Sequence, residues 1–237
     1  MDTAVAHASP AAAEGSKHKL SAGKLGIWLF LGTEIMFFMG LVAVYINERF
    51  GAEAWPSNYI QGFDPQEDPY VLNNKHFGAA NTFVLILSSV LVVLAHNAVL
   101  RGELKRMRVL LVLVLLLGCV FMGIKGVEYE HKIHFGIYPG GEGAERMGAI
   151  VAEEKGLDPA KVNDGNMFAS TYFLVTGCHA LHVIGGIIWL LAIVLLSFRS
   201  SFGKQSHYMV EYFGLYWHFV DVVWIFLFPL IYIMQAV

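Results

Sequence analysis

Five long apolar runs divide the chain, and polar segments with turn-forming residues separate them. The runs lie at about residues 25–46, 79–100, 109–127, 168–198 and 212–234. A helix needs about 20 mostly apolar residues to cross a bilayer, and only helices and closed barrels satisfy their backbone groups there. The pattern therefore predicts an all-α integral membrane bundle of five transmembrane helices.

The remaining segments predict one membrane domain with a tail and two long loops. Residues 1–24 are rich in Ala, Ser and Gly, which is typical of a mobile N-terminal tail. Residues 25–237 then form the membrane domain. Residues 47–78 and 128–167 are predicted to be long loops on the outer side of the membrane, with a short surface helix near residues 149–155.

The distribution of Lys and Arg predicts the orientation of the bundle. These residues are concentrated in the tail and in the short connections at residues 101–108 and 199–211, close to helix ends. By the positive-inside rule, the N-terminus is predicted to be inside and the C-terminus outside. The short connections also predict that the second and third spans, and the fourth and fifth, are antiparallel neighbours.

Composition agrees with a membrane protein and argues against other classes. The 237 residues are 56% hydrophobic and 15% charged, whereas soluble domains are about 25% charged. A net charge of -3 gives no indication of nucleic-acid binding. Cys119 and Cys178 lie in apolar runs and lack the spacing of a metal site.

The last apolar run contains a carboxylate, a histidine and two tryptophans at membrane depth. Trp217, Asp221 and Trp224 are four and three residues apart, so they share one face of a helix with His218 beside them. A charged residue in a membrane span is costly unless it faces protein. Asp221 is therefore predicted to face other helices, not lipid.

Glu34 lies near the middle of the first span. Removal from water favours the neutral acid unless a donor or a cation compensates. Two interpretations remain open: Glu34 takes part in a proton relay, or it is a protonated acid that hydrogen-bonds another helix.

Other polar residues at membrane depth favour contacts between helices. Asn81 and His96 lie in the second span, and His179 and His182 share a face of the fourth. Together with His218, the last two histidines also allow a metal or haem site, although hydrogen bonds to other helices or lipid head groups are favoured. Lys125 and Glu128, three residues apart, predict an ion pair at the membrane interface.

These motifs together resemble subunit III of the haem-copper cytochrome c oxidases, in its five-helix bacterial form. The first span carries GTEIMFF at residues 32–38, with Glu34 within it. The second carries Asn81-Thr82 and His96, and the third carries GVEY at residues 126–129. The most specific matches are TGCHALHVIG at residues 176–185 and YWHFVDVVW at residues 216–224.

The resemblance implies a subunit without a catalytic residue, metal site or haem of its own. Haem and copper belong to partner subunits I and II of this respiratory enzyme, which reduces oxygen and translocates protons. Subunit III packs against subunit I, binds phospholipid and supports proton uptake, and it resides in the bacterial inner membrane. Glu34 matches the family's proton-related glutamate. Roles in inter-helix hydrogen bonding or lipid contact are implied for Asn81, His96, Glu128, His179, His182, Trp217, His218, Asp221 and Trp224.

Two departures from the family and two alternative functions remain. Residues 134–164 are longer than in the mitochondrial type, and the first two helices of the seven-helix form are absent. Subunit I is expected to supply that helix pair. One alternative is a subunit III of a quinol oxidase or of a relative associated with nitric oxide reductase. The other is a stand-alone proton-coupled transporter that uses Glu34 and Asp221.

Overall fold

Long helices account for most of the structure, a computed structural model that describes residues 22–53, 55, 75–158, 163–199 and 207–234. Within these residues the helices are α1 (Ala22–Gly51), α2 (Lys75–Arg101), α3 (Leu104–His134), α4 (Glu142–Glu154), α5 (Asp164–Ser197) and α6 (His207–Phe228). A π-helix, Pro229–Ile233, continues α6. All but α4 are long and apolar enough to cross a membrane, which confirms the all-α fold with five spans.

Four of the spans form a ring. In it, α2 packs against α3 and α6, and α5 packs against the same two helices. The predicted neighbours α2 and α3, and α5 and α6, are therefore in contact. Only Gly102 and Glu103 connect α2 to α3, and Gly102 has the positive φ of 79° that ends the first helix.

The first span, α1, lies outside this ring and packs on α5 and α6. Its buried side chains are Leu31, Phe38 and Tyr45, which recur every seven residues. A seven-residue repeat keeps one narrow stripe of a helix against its neighbours. Most of the other α1 side chains are exposed in this chain.

The helices are longer than the apolar runs predict, and the segment 128–167 is not a loop. Its residues 128–134 belong to α3, 142–154 form α4, and 164–167 begin α5. The hydropathy of the sequence places the end of the third span at Val127, because every charged residue after it lowers the local hydropathy whether or not it is paired. In the structure, Glu128 pairs with Lys125 and Lys132 inside the bundle, so α3 continues.

The helices α1 and α2 also extend beyond the apolar runs, into the predicted tail and the first predicted loop. Residues 22–24, predicted to end the tail, belong to α1, and residues 1–21 lie outside the described residues. Of the predicted loop 47–78, residues 47–51 are in α1 and 75–78 in α2, while residues 56–74 also lie outside the described part. Polar residues at helix ends therefore extend the helices beyond their apolar cores.

The short helix α4 packs on the first turns of α5. It is longer than the predicted segment 149–155, and it buries Ala144, Met147 and Val151 on one face. A Cβ atom added at Gly148 would lie 2.9 Å from the backbone nitrogen of Gly165 in α5. The close approach of these two backbones explains why both positions are glycine.

Candidate functional site

Glu34, in the middle of α1, is hydrogen-bonded to His182 of α5. Glu34 Oε2 lies 3.1 Å from His182 Nε2, and His182 Nδ1 lies 2.8 Å from the carbonyl oxygen of Cys178. A carbonyl oxygen only accepts, so Nδ1 carries a hydrogen. Nε2 then either accepts a hydrogen bond from the neutral acid or, in the imidazolium, donates one to the carboxylate. In both cases one proton lies between the two side chains.

This bond is one of the polar contacts that fasten α1 to the bundle. Near one end of α1, Lys24 Nζ lies 2.8 Å from Glu211 Oε1 of α6. Near the other end, Arg49 donates to backbone carbonyl oxygens of the C-terminal π-helix region, including that of Leu230 at 3.3 Å. The Glu34 bond lies between these contacts, where the surroundings are most apolar.

A row of hydrogen bonds joins the signature stretch of α6 to α2. Tryptophan and histidine side chains of α6 pair with hydroxyl groups of α2. The bonds are Trp217 Nε1 to Ser88 Oγ at 2.9 Å, His218 Nδ1 to Ser89 Oγ at 3.1 Å, and Trp224 Nε1 to Thr82 Oγ1 at 3.1 Å. Sequence reasoning overlooked Ser88 and Ser89, because isolated serines in apolar helices are common and carry no distinctive spacing.

Asp221 lies in the same row and is 6% exposed, so it faces protein as predicted. The polar groups next to its carboxyl group are the Ser89 hydroxyl and the His218 ring. Among the described residues, its Oδ1 atom has no hydrogen-bond partner. Asp221 therefore places a carboxyl group at the contact between α6 and α2.

Asn81 and His96 lie in α2 on either side of this row, and Asn81 is 1% exposed. Within the described part of the chain, Asn81 Oδ1 and His96 Nε2 have no hydrogen-bond partner. Any inter-helix hydrogen bond of these two residues therefore does not use these atoms within that part of the chain.

A buried cluster of charged and phenolic side chains surrounds Glu128. Lys132 Nζ and the hydroxyl groups of Tyr172 and Tyr232 all lie close to Glu128 Oε1, at 2.8, 2.6 and 2.6 Å. Lys125 Nζ lies 3.0 Å from Glu128 Oε2 and 2.8 Å from the Tyr232 hydroxyl. The cluster links α3, α5 and the C-terminal π-helix.

The predicted ion pair between Lys125 and Glu128 is present. It is buried among the helices, since Lys125 is only 3% exposed and Lys132, which also pairs with Glu128, is fully buried. Lys132, four residues after Glu128, had a recognisable spacing that sequence reasoning did not use. Tyr172 and Tyr232 could not be identified in advance, since only the folded bundle brings them to Glu128.

The three histidines considered as metal or haem ligands have different surroundings. His182 bonds Glu34, His218 bonds Ser89, and His179 packs among aromatic rings. Among the side chains that the structure describes, no three from His, Cys, Asp or Glu are placed to share a metal ion.

Known proteins resemble this chain over most of its length. A family model described as cytochrome c oxidase subunit III matches residues 9–145 and 152–236. A relative named cytochrome c oxidase subunit 3 from Arabidopsis thaliana is 31% identical over 214 residues, covering 88% of this chain and 67% of the relative. Relatives with the same name from Gadus morhua and Marchantia polymorpha are 32% and 30% identical over 88% of this chain, and the matches cover 68% and 67% of those proteins.

Proposed function

This chain belongs to the cytochrome c oxidase subunit III family, and on that basis we propose that it is the non-catalytic third subunit of a terminal haem-copper oxidase. Its role in the complex is to stabilise subunit I, bind phospholipid and support proton uptake. Haem and copper are carried by subunits I and II, and this chain holds neither.

The observation that supports this proposal is that the motif side chains form hydrogen bonds between helices. Glu34 bonds His182 across α1 and α5, while Trp217 and Trp224 bond α2. Glu128 joins α3 to α5 and to the C-terminal π-helix. Side chains engaged in this way hold helices together, which is what a scaffold for a neighbouring catalyst requires.

The exposed surface of α1 is the proposed contact with subunit I. Its side chains outside the buried stripe, such as Leu29 and Met36, are 64% and 76% exposed. The Glu34 side chain is itself 21% exposed beside them. Lipid cannot hydrogen-bond an acid at this depth, so a protein neighbour is favoured there. We propose that two helices of subunit I cover this face.

The proposed location is the bacterial inner membrane, with the N-terminus inside and the C-terminus outside. The Lys and Arg residues near the connections at residues 101–108 and 199–211 support this orientation.

Purification in a gentle detergent tests the proposed function. We expect the chain to co-purify with a haem-containing subunit and a copper-containing subunit, and the absorption spectrum to show haem. A chain that purifies alone without haem would instead favour the stand-alone transporter.

A conservative change at Glu34 tests whether this side chain carries protons. We expect Glu34→Gln to leave the complex assembled and oxygen reduction within about twofold of the wild type, equivalent to about 0.4 kcal/mol. The glutamine amide still donates to His182 Nε2, so the bond to α5 is kept. Oxygen consumption per haem measures the outcome.

Glu34→Leu is the matched control, because it removes the hydrogen bond as well as the acid. It is expected to weaken retention of this chain in the complex. If Glu34→Gln abolished nearly all turnover at normal haem content, Glu34 would be an obligatory proton carrier.

A further inference from the structure

His179 of α5 is enclosed by aromatic rings from three other helices. It is 1% exposed. Its ring centroid lies 6.5 Å from that of Phe38 in α1, 5.9 Å from that of Phe121 in α3 and 5.1 Å from that of Trp224 in α6. A polar ring therefore occupies a site whose walls are apolar.

Neither imidazole nitrogen of His179 has a hydrogen-bond partner among the described residues. Among the surrounding rings, only that of Trp224 has an N–H group, and it donates this hydrogen to Thr82 Oγ1. An imidazole N–H group can point at the face of an aromatic ring. The other nitrogen carries a lone pair and can only accept, so its hydrogen bond requires a donor.

A pair of hydroxyl groups lies one turn away on the same side of α5. Thr176, three residues before His179, is 1% exposed, and its hydroxyl donates to the carbonyl oxygen of Tyr172 at 2.7 Å. The hydroxyl of Tyr129 in α3 lies 2.5 Å from Thr176 Oγ1. Because the only hydroxyl hydrogen of Thr176 is already used, Tyr129 is the donor. Both oxygen atoms keep a lone pair that can accept.

We propose that one ordered water molecule is bound inside the bundle between His179 and the Tyr129–Thr176 hydroxyl pair. One of its hydrogens is donated to the unprotonated nitrogen of His179, and the other to the hydroxyl oxygen of Tyr129. Buried waters in proteins typically satisfy polar groups that have no protein partner. This water connects α3 to α5 at membrane depth, where leaving the imidazole unpaired would cost its lost hydration.

A cryo-EM map of the assembled complex tests this proposal, at a resolution that shows internal waters elsewhere. We expect a density peak about 2.7–3.2 Å from one nitrogen of His179. In maps of His179→Phe and of Tyr129→Phe, the peak is expected to be absent or strongly weakened. Tyr216→Phe is the control, because it removes a buried hydroxyl that bonds the His182 carbonyl oxygen instead.

Three results would overturn the proposal. The wild-type map could lack the peak although other internal waters are visible. A side chain of another subunit or a lipid atom could occupy the position. The peak could persist at full strength in Tyr129→Phe. The first two need no variant, so the test does not depend on whether His179→Phe folds.

Discussion

Replacing Glu128 with leucine is expected to destabilise this chain by about 3–5 kcal/mol, the usual cost of removing one partner from a buried ion pair. Glu128 is the carboxylate shared by Lys125 and Lys132, which are 3% and 0% exposed. Two tyrosine hydroxyl groups also donate to it. Leucine would leave both ammonium groups without this counter-charge in an apolar interior.

The thermal unfolding midpoint of the purified complex, and the amount of this chain retained in it, measure the effect. Glu130→Leu is the matched control, since Glu130 is exposed on the same helix and its replacement should cost less than about 0.5 kcal/mol. Adding Lys125→Met to Glu128→Leu should restore part of the stability by removing one uncompensated charge. Equal midpoints for Glu128→Leu and Glu130→Leu would contradict the role given to Glu128.

The membrane fold is predictable from the sequence because it depends on the length of the apolar runs, which can be read directly along the chain. An apolar run must be about 20 residues long to span the bilayer, and five runs meet that condition. The end of α3 was predicted too early for a physical reason. A charge such as Glu128 lowers local hydropathy by the same amount whether it is solvated or neutralised by Lys132 one turn away.

The candidate site is predictable where one partner is chemically conspicuous. An acid at membrane depth such as Glu34 or Asp221 must face protein, and the structure shows both turned towards neighbouring helices. Their partners belong to other segments of the chain. Nothing in the local sequence distinguishes Ser89 or Tyr172 from other apolar-helix residues, since their role depends on how the helices are packed.

The indole ring of Trp217 shows how glycine positions complete this packing. The ring lies between α3 and α5, and Cβ atoms added at Gly118 and Gly186 would lie 3.2 and 2.7 Å from it. From this position the indole N–H group reaches Ser88 of α2. Side chains at the two glycines would remove the space that a rigid ring needs.

Gly186→Ala is therefore expected to destabilise the chain by about 1–3 kcal/mol, the usual cost of overpacking a well-packed core. Gly177→Ala makes the same chemical change in α5 at a position where the added Cβ atom would have no neighbour within 4 Å beyond the adjacent turns of its own helix. Because alanine favours a helix over glycine, that variant should be neutral or more stable by up to about 1 kcal/mol. Thermal unfolding of the two purified complexes, compared with the wild type, measures the difference. If both alanines raised the midpoint equally, the Trp217 ring would have free space beside Gly186, and the close packing of α6 against α5 would be wrong.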